Sequence, residues 1–356
     1  SFAYHRECMY YNLGFDYIDG KYVSRRGIRT RVPYYGEVRG VKHLDKLGTA
    51  NIWGNIIEQL EEFGYTNNAT LRGHPYDWRV GPNGYEEEYT KLKALIEETS
   101  TMNGDVPVSL CSLSMGSPYL AKFFQTMDVS WKERYIHSWI SVGGVFGGSL
   151  WPVSTLMTEQ GLYVLSGDSF KRTLGSWGSM MWLMPSSEVF GNHTIVQTNK
   201  RNYTGSDIED LLRDARFDRS LSIYKDVKEY QSFPAPGVDT VCIYGVGIPT
   251  QSKIEMKKGL RAPRTYTITE EEGDGTVLLP SLNYCEKWKD QQAKPVKIVQ
   301  MDQLRHADGV KDPRVIHILM EKLGLFRDAE QNFYPEIQRP MQHHSTWSTM
   351  MSNFFP

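Results

Sequence analysis

Apolar positions recur along the chain with two alternating periods. Residues 52–63 place Trp53, Ile56, Ile57, Leu60 and Phe63 on one stripe at helical spacing, and residues 85–97 repeat it with Tyr85, Tyr89, Leu92, Leu95 and Ile96. The run VPVSLCS (106–112) is short, apolar and bounded by Asn103-Gly104-Asp105, which predicts a buried strand. SPYLAKFFQTM (117–127) predicts a helix with Pro118 in its first turn, where a missing N–H costs nothing. WISVG (139–143), TVCIYGV (240–246) and PVKIVQM (295–301) read as further core strands. Asp312-Pro313 opens a last helix through Leu323, Asp capping it and Pro starting it. Strands separated by helical segments predict a mostly parallel sheet covered on both faces.

Between Gly144 and Pro236 this alternation fails. The stretch is rich in Trp, Met, Gly and Ser, including LGSWGSMMWLMP (174–185). Two readings fit: a cap or lid inserted above the sheet, or a second, weakly patterned subdomain with core aromatics. After Phe326 the tail is irregular, with Pro335, Pro340 and Pro356, and is expected to lie along the surface.

With 356 residues, 40% hydrophobic and 12% aromatic, the chain can bury a substantial core. A net charge of −2 gives no electrostatic footprint for nucleic acid. No apolar run approaches the roughly 18 residues of a membrane-spanning helix. No apolar leader segment is present, and Ser1 stands first, which fits a processed or truncated chain. Four cysteines, Cys8, Cys111, Cys242 and Cys285, lack zinc-type spacing. The sequons at Asn68, Asn192 and Asn202 are weak singly, but together they point to the secretory route. Phe2, Tyr4, Tyr10, Tyr11, Phe15 and Tyr17 crowd the first twenty residues. Such aromatics suit a membrane interface and suit core packing equally.

Ser112-Leu113-Ser114-Met115-Gly116 sits between the predicted strand and helix, the context a nucleophile elbow requires. The tight turn asks for small residues two before and two after the nucleophile, here Ser112 and Gly116. The Met115 N–H then lies at a helix N-terminus, aimed at a developing oxyanion. The pattern alone is weak, since an ordinary N-cap serine looks the same. An acid and a histidine should follow in that order. Glu272-Gly273-Asp274-Gly275-Thr276-Val277 offers Asp274 in a turn, and His306 lies in a loop after the last strand. His74 and His137 precede the acid, His317 is helical, and His343-His344 lack a third metal ligand nearby. The cluster Gly143–Gly148 lacks the G-K-[ST] ending of a phosphate loop, so no nucleotide site is read there. The chemistry needs no metal and no organic cofactor.

These residues resemble the lecithin:cholesterol acyltransferase and lysosomal phospholipase A family. Arg72-Gly-His-Pro-Tyr-Asp-Trp-Arg79 is similar to its R-G-A-P-Y-D-W-R segment, and Ser114-Met-Gly to its H-S-M-G elbow. Trp131-Lys-Glu-Arg-Tyr-Ile136 and the Gly143–Gly148 cluster resemble its W-K-x-K-Y-I and P-W-G-G segments. Asn202-Tyr-Thr-Gly205, Pro234-Ala-Pro-Gly-Val238, Tyr244-Gly-Val-Gly-Ile-Pro-Thr250 and Gly273-Asp-Gly-Thr-Val277 continue the match in order. The resemblance runs from about Cys8 to Leu323 and implies an α/β-hydrolase with a mostly parallel central sheet plus a cap and lid insertion.

It further implies catalytic roles for Ser114, Asp274 and His306, an oxyanion donor in Met115, a disulfide between Cys242 and Cys285, and a glycan at Asn202. Cys8 matches the second cysteine of another family disulfide, and Cys111 reads as a buried strand thiol. The stretch near Met157–Ser179 resembles a lid. Trp177, Met180, Met181, Trp182 and Phe146 are the candidates for lid and acyl pocket, although core packing explains them as well. Residues 1–20 are assigned to a remnant of a membrane-binding subdomain, 21–143 and 237–326 to the hydrolase core, 144–236 to the insertion and 327–356 to the tail.

The family's first strand, its second oxyanion donor and the partner of Cys8 fall ahead of Ser1. A separate N-terminal fragment of the same protein is one expected source of them; omission from this chain is the other. Ser112 replaces the family's Ala or Gly, and Phe146 its Trp. The implied function is a serine-dependent phospholipase or acyltransferase. It would cleave a fatty acyl ester from glycerophospholipids through an acyl-enzyme and pass the acyl group to water or a lipid alcohol. It would work at a membrane or lipid-particle surface in a secretory, extracellular or lysosome-like compartment. A catalytically silent lipid-binding protein and a soluble carboxylesterase are the alternatives.

Overall fold

The computed structural model describes residues 2–43, 50–158, 167–260 and 265–325, with side chains from Glu7 onward. Residues 1–312 form one compact unit. It opens with α1 (Phe2–Leu13) and a two-stranded hairpin, β1 (Phe15–Ile18) and β2 (Lys21–Ser24). Two short-to-medium helices follow, α2 (Arg39–Lys42) and α3 (Gly54–Glu62). In α3 the predicted stripe becomes the buried face Ile56, Ile57 and Leu60, and Asn51 Oδ1 accepts a hydrogen bond from Gly54 N at 2.7 Å at its start. α4 (Glu86–Met102) carries Glu86, Glu87 and Glu88 in its first turn, where the helix dipole favours negative charge. It buries Tyr89, Leu92, Leu95, Ile96 and Thr99.

The central sheet begins with β3 (Val108–Leu113), which leads through α5 (Gly116–Gln125) and α6 (Val129–Tyr135) into β4 (Ile136–Val142). Its other strands are β7 (Thr240–Val246) and β10 (Val296–Asp302). The order is β3-β4-β7-β10 and every pair is parallel. The two middle strands are buried nearly throughout, as a sheet covered on both faces demands. β3 pairs with β4 on one side, and among the described residues its other edge has no strand. Cys111 on that strand is therefore half-buried rather than fully buried as the sequence suggests, and the surrounding protein pushes its thiol up to about 12.

The stretch 144–236 is not loose. It contains α7 (Trp151–Met157), α8 (Asp168–Leu174), α9 (Gly178–Trp182), α10 (Ser187–Phe190), the hairpin β5 (Thr194–Thr198) and β6 (Asn202–Thr204), then α11 (Ile208–Asp214) and α12 (Asp218–Val227). The hairpin joins β8 (Ile248–Met256) and β9 (Tyr266–Gly273) in a second sheet of order β6-β5-β8-β9. β5 and β8 run parallel, so residues on both sides of the expected boundary at 237 share one sheet. Part of the expected lid, 159–166, and the whole of the expected tail, 327–356, lie outside the described residues.

After β9 come a short helix, α13 (Leu279–Leu282), and a 3-10 turn at Asn283–Asp290. A disulfide between Cys242 and Cys285 ties that turn to the middle of β7. The second unit begins at Pro313 with α14 (Pro313–Lys322), whose Val315 and Leu319 lie on one face.

Candidate active site

Ser114 sits in the turn between β3 and α5 with φ +54, a left-handed conformation that non-glycine residues avoid. Its own N–H donates to Val142 O at the end of β4, 2.9 Å away, and its carbonyl accepts from Ser117 N at 3.0 Å. These bonds hold the strained residue in place, the pattern expected where strain serves a function. A Cβ added at Gly116 would lie 3.6 Å from the Ser112 Cβ, which is ordinary contact. Smallness is thus what the turn needs there, not glycine as such.

Asp274 arrives by a long excursion. β7 runs directly into β8, and β9 returns to the same place, where Ile248 pairs with both Gly273 and Asp274. The hairpin therefore starts and finishes at the C-terminal end of β7. Asp274 is 2% exposed. Its Oδ1 accepts from Thr276 N at 3.0 Å and Val277 N at 2.8 Å. Gly275 N donates to Thr250 Oγ1 at 2.8 Å and pins the turn to β8.

His306 completes a line. Its Nδ1 lies 2.6 Å from Asp274 Oδ2, and its Nε2 lies 2.8 Å from Ser114 Oγ. An ionised carboxylate only accepts, so Nδ1 carries the proton and Nε2 is left to accept from the serine hydroxyl. The His306 backbone N–H also donates to Asp274 O at 2.9 Å, so the two residues are clamped twice. The imidazole is mostly covered, with 12% of its side chain exposed. The structure thus joins three groups widely separated in sequence into one hydrogen-bonded line.

Two supports were not legible as such in the sequence. Gly143, directly after β4, has φ +57, and a Cβ there would stand 3.2 Å from His306 Nδ1. Its signal was present in the first glycine of the cluster set aside as a non-phosphate loop. Ser112 is buried, accepts from the indole N–H of Trp139 at 2.9 Å and shares a 3.0 Å hydrogen bond with Ser117. The serine that departs from the family pattern therefore satisfies a fully buried tryptophan.

The remaining candidates fall elsewhere. Met115 is the N-cap residue of α5, so its backbone lies at the start of that helix. Phe146 is packed among Trp139, Phe233, Tyr284 and Trp288. Trp182 packs against Tyr85 and Phe233 and donates to Tyr230 O. Trp177 lies edge-on to Trp78 and donates to Leu13 O. Met180 and Met181 are buried in the same core. Asn68, Asn192 and Asn202 are all exposed. Cys8 is a free, exposed thiol on α1. Of the early aromatics, Tyr10 and Phe15 are buried, whereas Tyr11 is 46% exposed; the side chains of Phe2 and Tyr4 lie outside the described residues.

His74 is half-buried against Tyr119, its Nε2 2.9 Å from the phenol oxygen, and desolvation lowers its pKa to about 4. His343 and His344 lie outside the described residues. Among the described residues no cluster of three metal-ligating side chains occurs, and no helix is long and apolar enough to cross a membrane.

Comparison with known proteins adds four findings. The lecithin:cholesterol acyltransferase family matches residues 8–234 and 222–321. The phosphatidylcholine-sterol acyltransferase of Oryctolagus cuniculus is 31% identical over 315 residues, covering 87% of this chain and 71% of that protein. The lysosomal phospholipase A and acyltransferase of Mus musculus is 30% identical over 303 residues, covering 83% and 73% respectively. Among solved structures, a chain of the crystal structure of the Tle4-Tli4 complex superposes with a TM-score of 0.52 at 12% identity, covering 90% of this chain and 78% of that one. That likeness concerns the fold alone.

Proposed function

Because the chain belongs to the lecithin:cholesterol acyltransferase family, we propose that it transfers a fatty acyl group from a glycerophospholipid through Ser114, His306 and Asp274. The observation that carries this reading is the unbroken hydrogen-bonded line from Asp274 Oδ2 through the imidazole to Ser114 Oγ. Ser114 Oγ attacks the ester carbonyl and His306 Nε2 takes its proton. Asp274 keeps the imidazole in the right tautomer and stabilises it when charged. The oxyanion forms at the start of α5, where the Met115 N–H is one donor. As the carbon–oxygen bond to the lysophospholipid breaks, His306 returns the proton to that leaving oxygen. Water or a lipid alcohol then loses its proton to His306 and attacks the acyl-enzyme, and His306 passes that proton to Ser114 Oγ as the acyl–oxygen bond breaks.

The open edge of β3 fits one further strand beside the nucleophile. We assign that place to the family's first strand, carried by a separate N-terminal fragment of the same protein or by residues left out of this chain, which would bring the second oxyanion donor. The exposed sequon asparagines support glycosylation and a secretory or lysosome-like destination. The buried aromatic and Met residues of α9 are assigned to the wall behind the acyl chain, where such side chains adapt to lipid shape.

The test uses phosphatidylcholine vesicles, alone and with cholesterol or ceramide, and follows fatty acid, lysophospholipid and acylated acceptor by mass spectrometry. Turnover is expected in the native protein and absent in a folded Ser114→Ala variant. Acylated sterol or ceramide would name the acceptor. Retained turnover in the variant would overturn the serine mechanism. A native protein that turns over nothing and resists fluorophosphonate labelling at Ser114 would point to a lipid-binding role instead.

A further inference from the structure

A cavity of about 640 Å³ opens between α1, the residue following β2, α8 and the junction of α11 with α12. It contains none of Ser114, Asp274 and His306. Four arginines line it, Arg25, Arg172, Arg216 and Arg219, against two carboxylates, Glu7 and Asp218. This is an unusual concentration of positive charge on a chain whose net charge is −2.

Several arginines elsewhere in the molecule are held by carboxylates. Arg79 pairs with Asp77, Arg72 with Glu98, and Arg201 with Asp207 and Asp210. Among the described residues Arg25, Arg172 and Arg216 have no carboxylate partner, and Arg219 reaches Asp16 only at 3.8 Å. Neutral contacts hold three of these groups. The Arg25 guanidinium lies 4.8 Å from the Tyr11 ring centroid, Arg172 donates to Ser169 Oγ at 3.1 Å, and Arg219 donates to Phe15 O at 3.3 Å. Each guanidinium carries five N–H donors, so most of the donors remain for a ligand.

We propose that this cavity binds a phosphate-bearing ligand. Four arginines lining one space concentrate positive charge there, and the planar fork of Arg matches phosphate oxygens in pairs. The volume falls in the range of small-molecule sites and exceeds what a phosphate alone fills, so the phosphate enters with the group that carries it. Glu7 and Asp218 can only accept hydrogen bonds when ionised, which suits hydroxyl groups on that remainder. The phosphate has two sources, a lipid headgroup such as that of phosphatidic acid and a soluble phosphate compound.

Binding is measured on the full chain carrying Ser114→Ala, so that no vesicle lipid is consumed. Inorganic phosphate is titrated by calorimetry. Phosphatidylcholine vesicles with and without phosphatidic acid are tested by co-sedimentation. The cavity pair Arg25→Gln/Arg216→Gln is compared with Arg26→Gln/Arg29→Gln, which removes the same charge outside the cavity. Arg172→Gln/Arg216→Gln serves if loss of Arg25 disturbs folding. We expect the cavity pair to bind at least about tenfold more weakly while the outside pair is unchanged. Loss confined to phosphatidic acid vesicles assigns the headgroup; loss that includes inorganic phosphate assigns the soluble source. Equal weakening by both pairs, or no binding of either probe, would overturn the proposal.

Discussion

The C-terminal end of the central sheet and the helical stretch above it hold their side chains by different means. At the sheet end each polar group is fixed by directional bonds. Asp274 receives two backbone N–H groups and the imidazole, and Ser114 is tied to the neighbouring strand through its own N–H. In residues 144–190, Phe146, Met181 and Trp182 are held chiefly by contact with other buried side chains. Hydrogen bonds fix angles and protonation, whereas packing fixes volume. Damage should therefore appear as lost chemistry in the first region and as lost stability in the second.

Asp274→Asn offers the largest contrast. It keeps the shape of the turn but removes the charge that selects the tautomer, so turnover should fall about 10⁴-fold with little change in melting temperature. A loss of only severalfold would mean that His306 does not depend on this carboxylate. Trp182→Ala tests the other region. Removing a buried indole should cost about 3–5 kcal/mol in chemical denaturation, while Ser114 of the surviving folded protein still reacts with a fluorophosphonate. If labelling vanished at constant stability, the separation of roles would fail.

His74 provides an intermediate case through pH. Its pKa is lowered to about 4 when folded, from an ordinary 6.5, so the unfolded chain takes up the proton first. Its contribution to stability should decline as pH falls below about 6.5 and be fully lost near pH 4, a change on the order of 3 kcal/mol. Subtracting the denaturation profile of His74→Phe from that of the native protein isolates this loss; parallel profiles would contradict it. Ser112→Ala should have the smallest effect, about 1–3 kcal/mol, because it leaves the buried Trp139 N–H without its acceptor. Unchanged stability would show that the indole finds another partner.

Much of this was legible along the chain. β7 has the bounds that its apolar run predicts, and α3, α4 and α5 follow their stripes to within a few residues. The order of Ser114, Asp274 and His306 was readable because strand, turn and helix signals are local. The 144–236 stretch was not readable. Its helices are short and buried on several sides, so no single apolar stripe marks them, and β5 finds its parallel partner β8 far along the chain. Ser112 looked like a departure from a pattern because its partner, Trp139, lies 27 residues away on the next strand.

The sequence by itself determined which segments become strands and helices, and which serine, acid and histidine have the chemistry and order to act together. Those properties depend on neighbours a few residues apart. Tertiary structure alone decided that Ser114 and His306, separated by 192 positions, meet at 2.8 Å. It also decided that β9 returns Asp274 to the end of β7, and that four arginines from three separate stretches of the chain line one cavity. Such meetings follow from how strands stack side by side and from which charges find partners, and a chain read in order specifies neither until its core is packed.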